Sequence, residues 1–104
     1  MPDSRYEEAP VAESEERVQE PPLFRVLLHN DDYTTMEFVI WILQAIFNMP
    51  EDEAARVMLN VHIRGTGVAG VFTFEVAEMK VTKTTSLAHE HEFPLLCTME
   101  PDQS

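Results

Sequence analysis

The chain alternates short β-rich apolar runs with longer amphipathic ones, and proline, glycine and acidic clusters punctuate the joins. Phe24-Arg25-Val26-Leu27-Leu28-His29, directly after the pair Pro21-Pro22, reads as a strand. The apolar run from Phe38 to Phe47 is broken only by Trp41 and Gln44 among large or polar residues. Glu37, Gln44 and Asn48 share one helical stripe, and Trp41 falls on it, so this helix is expected to be largely buried with Trp41 exposed or partly covered. Thr34-Thr35-Met36-Glu37 fits a capping box that starts the helix at Thr34 and lets it run to about Asn48. Pro50 at a first helical position, followed by Glu51, Asp52 and Glu53, opens a second helix, since proline lacks a donor that is orphaned there anyway and acids suit the positive helix end. Ala54, Val57, Met58 and Val61 keep its apolar face, and Gly65 stops it. Val68 to Phe72 reads as a buried strand.

Thr73 is placed to cap a third helix with Ala77, Val81, Thr84 and Ala88 on one face, although Thr82-Lys83-Thr84-Thr85-Ser86 is poor helix material by propensity. Leu95-Leu96-Cys97-Thr98-Met99, after Pro94, is a last short strand. The order β-α-α-β-α-β predicts a small single α+β domain: a three-stranded antiparallel sheet packed on three helices.

Composition divides the chain in two. Residues 1–21 hold seven acids and two arginines, with prolines at 2, 10 and 21 and no apolar period. Such a block cannot bury enough apolar surface to offset its ordering entropy, so it is expected to be a disordered acidic N-terminal extension, with residues 22–104 as the folded core. The net charge of −12 disfavours nucleic acid or an anionic membrane as partner, both of which need a basic face. One cysteine, no secretory leader pattern and no membrane-length apolar run predict a soluble cytoplasmic protein.

Candidate chemistry concentrates in Asn30-Asp31-Asp32-Tyr33-Thr34-Thr35-Met36-Glu37, where the first strand hands over to the first helix. Adjacent acids in an extended segment point to opposite sides, which argues against a shared-proton catalytic pair. A turn in which Asn and Asp tie back to backbone amides is the plainer reading. His89-Glu90-His91-Glu92 with Cys97 lacks any CxxC or HExxH spacing, so no metal is expected, and Cys97 reads as a small buried thiol. Met36, Val39, Met58 and Val61 form an apolar stripe across two helices, suited to a core or to an adaptable pocket.

Taken together, these residues resemble a known family. The string Val26-Leu27-Leu28-His29-Asn30-Asp31-Asp32-Tyr33-Thr34-Thr35-Met36-Glu37-Phe38-Val39 is similar to the signature of the ClpS adaptors. Met58-Leu59-Asn60-Val61-His62, Gly70-Val71-Phe72-Thr73, Glu75 to Val81, and Pro94-Leu95-Leu96-Cys97-Thr98 match further motifs in register, from about Pro22 to Glu100. The resemblance implies an adaptor and not an enzyme, without cofactor. It implies binding of proteins that begin with Leu, Phe, Tyr or Trp and their delivery to the ClpA unfoldase of the ClpAP protease, through a small α+β domain like that of the ribosomal stalk protein's C-terminal part. It implies an amine clamp of Asn30, Asp31 (through backbone or water) and His62, supported by Asp32 and Thr34. It implies a pocket of Met36, Val39, Met58, Val61 and Leu95, and ClpA contacts at Glu75 and Lys80. An unfoldase-docking domain that alters substrate choice without reading N-termini is the alternative. Thr35 stands where the family usually has proline, and Trp41 where a polar residue is common.

Overall fold

The computed structural model describes residues 21–103. The expected extension, residues 1–21, lies outside them apart from Pro21. Six elements follow one another: β1 (Leu23–His29), α1 (Met36–Ala45), α2 (Glu51–Arg64), β2 (Thr66–Thr73), α3 (Phe74–Glu90) and β3 (Leu96–Pro101). The order and the class agree with the sequence reading. β1 is central in an antiparallel sheet of order β2-β1-β3.

Alternation along the strands decides which face the helices cover. Val26 and Leu28 of β1, Ala69 of β2 and Cys97 of β3 are buried, and they join Phe38, Val39, Ile42 and Leu43 of α1 with Ala54, Met58 and Val61 of α2 in one core. From α3 come Ala77, Thr84 and Ala88, the face that periodicity picked out, so burial overrides the weak propensity of residues 82–86. A register shift between Val26 and Leu27 marks a bulge against β2, next to Gly70. Gly67 sits where β2 presses on α2: a Cβ there would stand 2.6 Å from Val61 Cγ2.

The helix ends differ from expectation by a residue or more. Thr35, not Thr34, is the N-cap of α1: its hydroxyl accepts from Phe38 N–H at 3.1 Å. The residue three beyond that cap is Phe38, so no capping box forms, and Glu37 instead supplies first-turn negative charge. α1 stops at Ala45, short of Asn48, because Asn48 takes φ 59° and turns the chain into α2. Pro50 caps α2 from outside the helix, with its carbonyl accepting from Ala54 N–H at 2.9 Å. No basic residue lies in the last turn of α1. Lys80 of α3 fills that role from across the fold, donating to the Ile46 carbonyl at 2.7 Å, with its ammonium over the Phe47 and Phe72 rings. Among the described residues no helix is long and apolar enough to cross a membrane.

Candidate functional site

The site is built where β1 ends. His29 pairs with Thr66 as the last rung between β1 and β2. Asn30 then donates its backbone N–H to the Gly65 carbonyl at 2.8 Å. Gly65 closes α2 at φ 91°, the left-handed region where a side chain is strained, and bonds back to the Val61 carbonyl. His62 is exposed in the last turn of α2, three residues before Gly65. One backbone hydrogen bond therefore ties Asn30 to the turn of α2 that carries His62.

The chain from Asp31 to Thr34 is a tight turn organised by one carboxylate. Asp31 Oδ1 accepts from the Tyr33 and Thr34 backbone N–H groups, both at 2.7 Å, and Oδ2 accepts from the Thr34 hydroxyl at 2.7 Å. Partial burial pushes the Asp31 carboxyl up, but these bonds outweigh it and hold it below its ordinary value. The carboxylate is thus held ionised, with both oxygens committed to the turn. Asp32 is exposed and bonds to none of the described residues, so it holds no part of this turn; the support comes from Asp31 and Thr34.

Met36 begins α1 immediately after the Thr35 cap and is 43 % exposed. The other four expected pocket residues, Val39, Met58, Val61 and Leu95, are all buried in the core. The structure thus ties Asn30, at the head of the Asp31 turn, to the end of α2, the helix that carries exposed His62, while Met36 opens α1 as an exposed, conformationally adaptable apolar side chain. An arrangement of acceptors beside a yielding apolar wall can hold a small cation that carries an apolar group. It contains no activated nucleophile. Cys97, the one thiol, is buried away on β3, and burial pushes it up to about 11, with the Thr84 hydroxyl pulling the other way.

The two residues expected on α3 are not equivalent. Glu75 is exposed in the first turn, against the chain that leads into β1 at Pro21 and Pro22. Lys80 lies about 140° further around the helix and its ammonium is engaged at the end of α1. Trp41 is 44 % exposed, in agreement with its place on the polar stripe. Among the described residues no three His, Cys, Asp or Glu side chains gather as for a metal. Sequence reasoning expected an aspartate tied back to backbone amides here, as Asp31 is, but missed the Gly65 carbonyl and the third bond, from the Thr34 hydroxyl. The Asp-x-x-Thr spacing from Asp31 to Thr34 was the available sign of the latter.

Comparison with known proteins gives a consistent picture. The family model of the ATP-dependent Clp protease adaptor protein ClpS matches residues 19–98. The ClpS adapter protein of Desulfatibacillum aliphaticivorans is 55% identical over 92 residues, 88% of each chain. That of Myxococcus xanthus is 47% identical over 88 residues, 85% of this chain and 82% of its own. Among solved structures, Agrobacterium tumefaciens ClpS2 bound to L-phenylalaninamide superposes with a TM-score of 0.77 at 44% identity, covering 80% of this chain and 100% of that one.

Proposed function

The chain belongs to the ClpS family of Clp protease adaptors, and on that premise we propose that it binds proteins through a bulky hydrophobic first residue (Leu, Phe, Tyr or Trp) and delivers them to the ClpA unfoldase of the ClpAP protease. The observation that carries this reading is the Asn30 to Gly65 hydrogen bond, which joins the Asp31 turn, and through it the start of α1 with exposed Met36, to the end of α2. A protonated α-amine is a compact cation with three donors. It is met by the Asn30 side-chain oxygen, by Asp31 through its backbone or a water, and by a neutral His62 nitrogen, with Thr34 bracing the turn. L-Phenylalaninamide, the ligand of the Agrobacterium relative, has a free α-amine, a benzyl side chain and a capped carboxyl, and so imitates an N-terminal phenylalanine.

The guest side chain moves Met36 aside and packs on Val39, Met58, Val61 and Leu95. Burying a Leu or Phe side chain contributes about 1.5–3 kcal/mol, and each charge-assisted hydrogen bond about as much again. With three such bonds the gross gain is about 6–12 kcal/mol, from which the cost of association is subtracted, so a turn ordered before binding favours affinity. Residues 22–104 act as the binding core and residues 1–21 as the extension used in delivery. Glu75, beside the root of that extension, and the stem of Lys80 meet the unfoldase in the cytoplasm. The role is binding, with no bond made or broken.

The test is a titration with labelled peptides that differ only at their first residue. Leu and Phe peptides should bind, and an acetylated amine or His62→Ala should cost about ten- to a hundredfold. Equal binding of acetylated and free peptides refutes the amine clamp. Retained ClpA binding without any peptide binding selects the docking-only alternative.

A further inference from the structure

The aromatic face of α1 is not used by this reading. Trp41 packs against Phe38 (ring centroids 5.8 Å) and His91 (5.7 Å), and Phe38 packs in turn on His91 (5.2 Å) and Phe93 (4.8 Å). Phe38 is buried, whereas Trp41 and His91 are exposed, so two flat rings open to solvent on an aromatic base. Three carboxylates adjoin them along the helix and the chain. Glu37 is one helical turn before Trp41 on the same stripe, and Glu90 and Glu92 flank His91. All three are exposed and none has an ion pair among the described residues.

We propose that this face docks an arginine-bearing segment of a partner protein. A guanidinium is flat, stacks on an indole or imidazole face, and keeps its charge within reach of carboxylates at the rim. A purely apolar partner would have to strip water from the carboxylates without replacing it, and an anionic one would be repelled. Glu92 occupies φ 65° at the end of α3, where its N–H bonds to the His89 carbonyl. Glycine is favoured in that conformation, so Glu92 is held at a cost to the fold.

Trp41 is the single tryptophan, and its emission reports the site directly. The probe is Ac-Ala-Arg-Ala-Arg-Ala-amide, whose blocked amine keeps it out of the Asn30–His62 clamp. The full-length protein should show a saturable emission change with a Kd of about 0.1–1 mM, unaltered by saturating L-phenylalaninamide. Changing Glu37, Glu90 and Glu92 together to Gln should raise that Kd about tenfold. Glu92→Gly should raise the melting temperature by about 3–6 °C and still weaken the arginine peptide, a pairing that simple destabilisation cannot produce. An equal response to the glutamate peptide of the same pattern, an unchanged Kd in the triple variant, or loss of the signal with L-phenylalaninamide would each overturn the proposal. So would emission that shifts with protein concentration alone, which would give the face to a second copy of the chain.

Discussion

Replacing Asp31 separates geometry from charge at the candidate site. Its carboxylate takes three hydrogen bonds of 2.7 Å, two from amides of Tyr33 and Thr34 and one from the Thr34 hydroxyl. Buried, bonds to a charged acceptor contribute about 1.5–3 kcal/mol each, but this turn is half open to water and its freed amides rehydrate, so Asp31→Ala should cost about 2 kcal/mol of stability. It should also weaken the binding of an N-terminal Phe peptide about tenfold or more. The two residues of the turn must be ordered on binding once nothing holds them beforehand, at roughly 1–2 kcal/mol each. Asp31→Asn keeps an oxygen for the two amides and loses the charge, so it should recover most of both losses. The carboxyl titrates below its ordinary value in the folded protein. The charge-dependent part of its contribution is therefore complete above the unfolded value near 3.8 and is lost as pH falls through the lower folded one, so the gap between wild type and Asp31→Ala should narrow toward that of Asp31→Asn only below about pH 4. Urea unfolding followed by Trp41 emission and peptide anisotropy read the two effects. If Asp31→Asn binds as poorly as Asp31→Ala, charge and not the turn is the operative feature, and the argument is refuted.

Four other substitutions or reagents probe the frame around the site. Thr84 is wholly buried and its hydroxyl meets only the weak Cys97 thiol, with no partner of good geometry, so Thr84→Val should stabilise by about 1 kcal/mol; a lower melting temperature would count against it. Gly67→Ala drives a methyl into Val61 and the Val57 carbonyl, and should cost about 1–3 kcal/mol in urea unfolding while weakening Phe-peptide binding through the shifted α2. Lys80→Met removes the bond to the Ile46 carbonyl and two ring contacts, with an expected loss of about 1–2 kcal/mol by thermal unfolding. Cys97, raised to about 11 and buried, should resist a thiol reagent at pH 8 until urea unfolds the chain; fast labelling of the native protein would contradict its placement.

Periodicity was enough for the elements because each helix buries a continuous stripe and each strand alternates. Ala77, Thr84 and Ala88 were legible at helical spacing even through five residues that favour other conformations. Ends were less legible, since they depend on which of two adjacent threonines meets a free amide, and Thr35 wins only because Asp31 has already taken Thr34. The rim residues and their expected roles came from a motif, but the bonds that hold the turn did not follow from it. Asp31 and Asp32 are chemically alike, and only the fold turns one inward to hold the loop and leaves the other in water. The Asn30 bond to Gly65 spans thirty-five positions of sequence and leaves no local trace. Lys80 is legible as a surface cation and is found bracing the opposite helix, because α1 ends without a positive charge of its own.

The central place of β1 has a mechanical consequence. Leu23 pairs with Thr73 on one side, and its carbonyl accepts from Asp102 N–H on the other, so the strand is gripped from its first residue. A pull on the chain ahead of Leu23 runs along β1, across hydrogen bonds that lie perpendicular to the strands on both flanks. Such bonds share the load and must yield together, whereas an edge strand can be peeled one rung at a time. Traction applied from the N-terminal side thus meets the domain along its stiffest direction, and a pull from beyond β3, an edge strand, meets it along a weaker one.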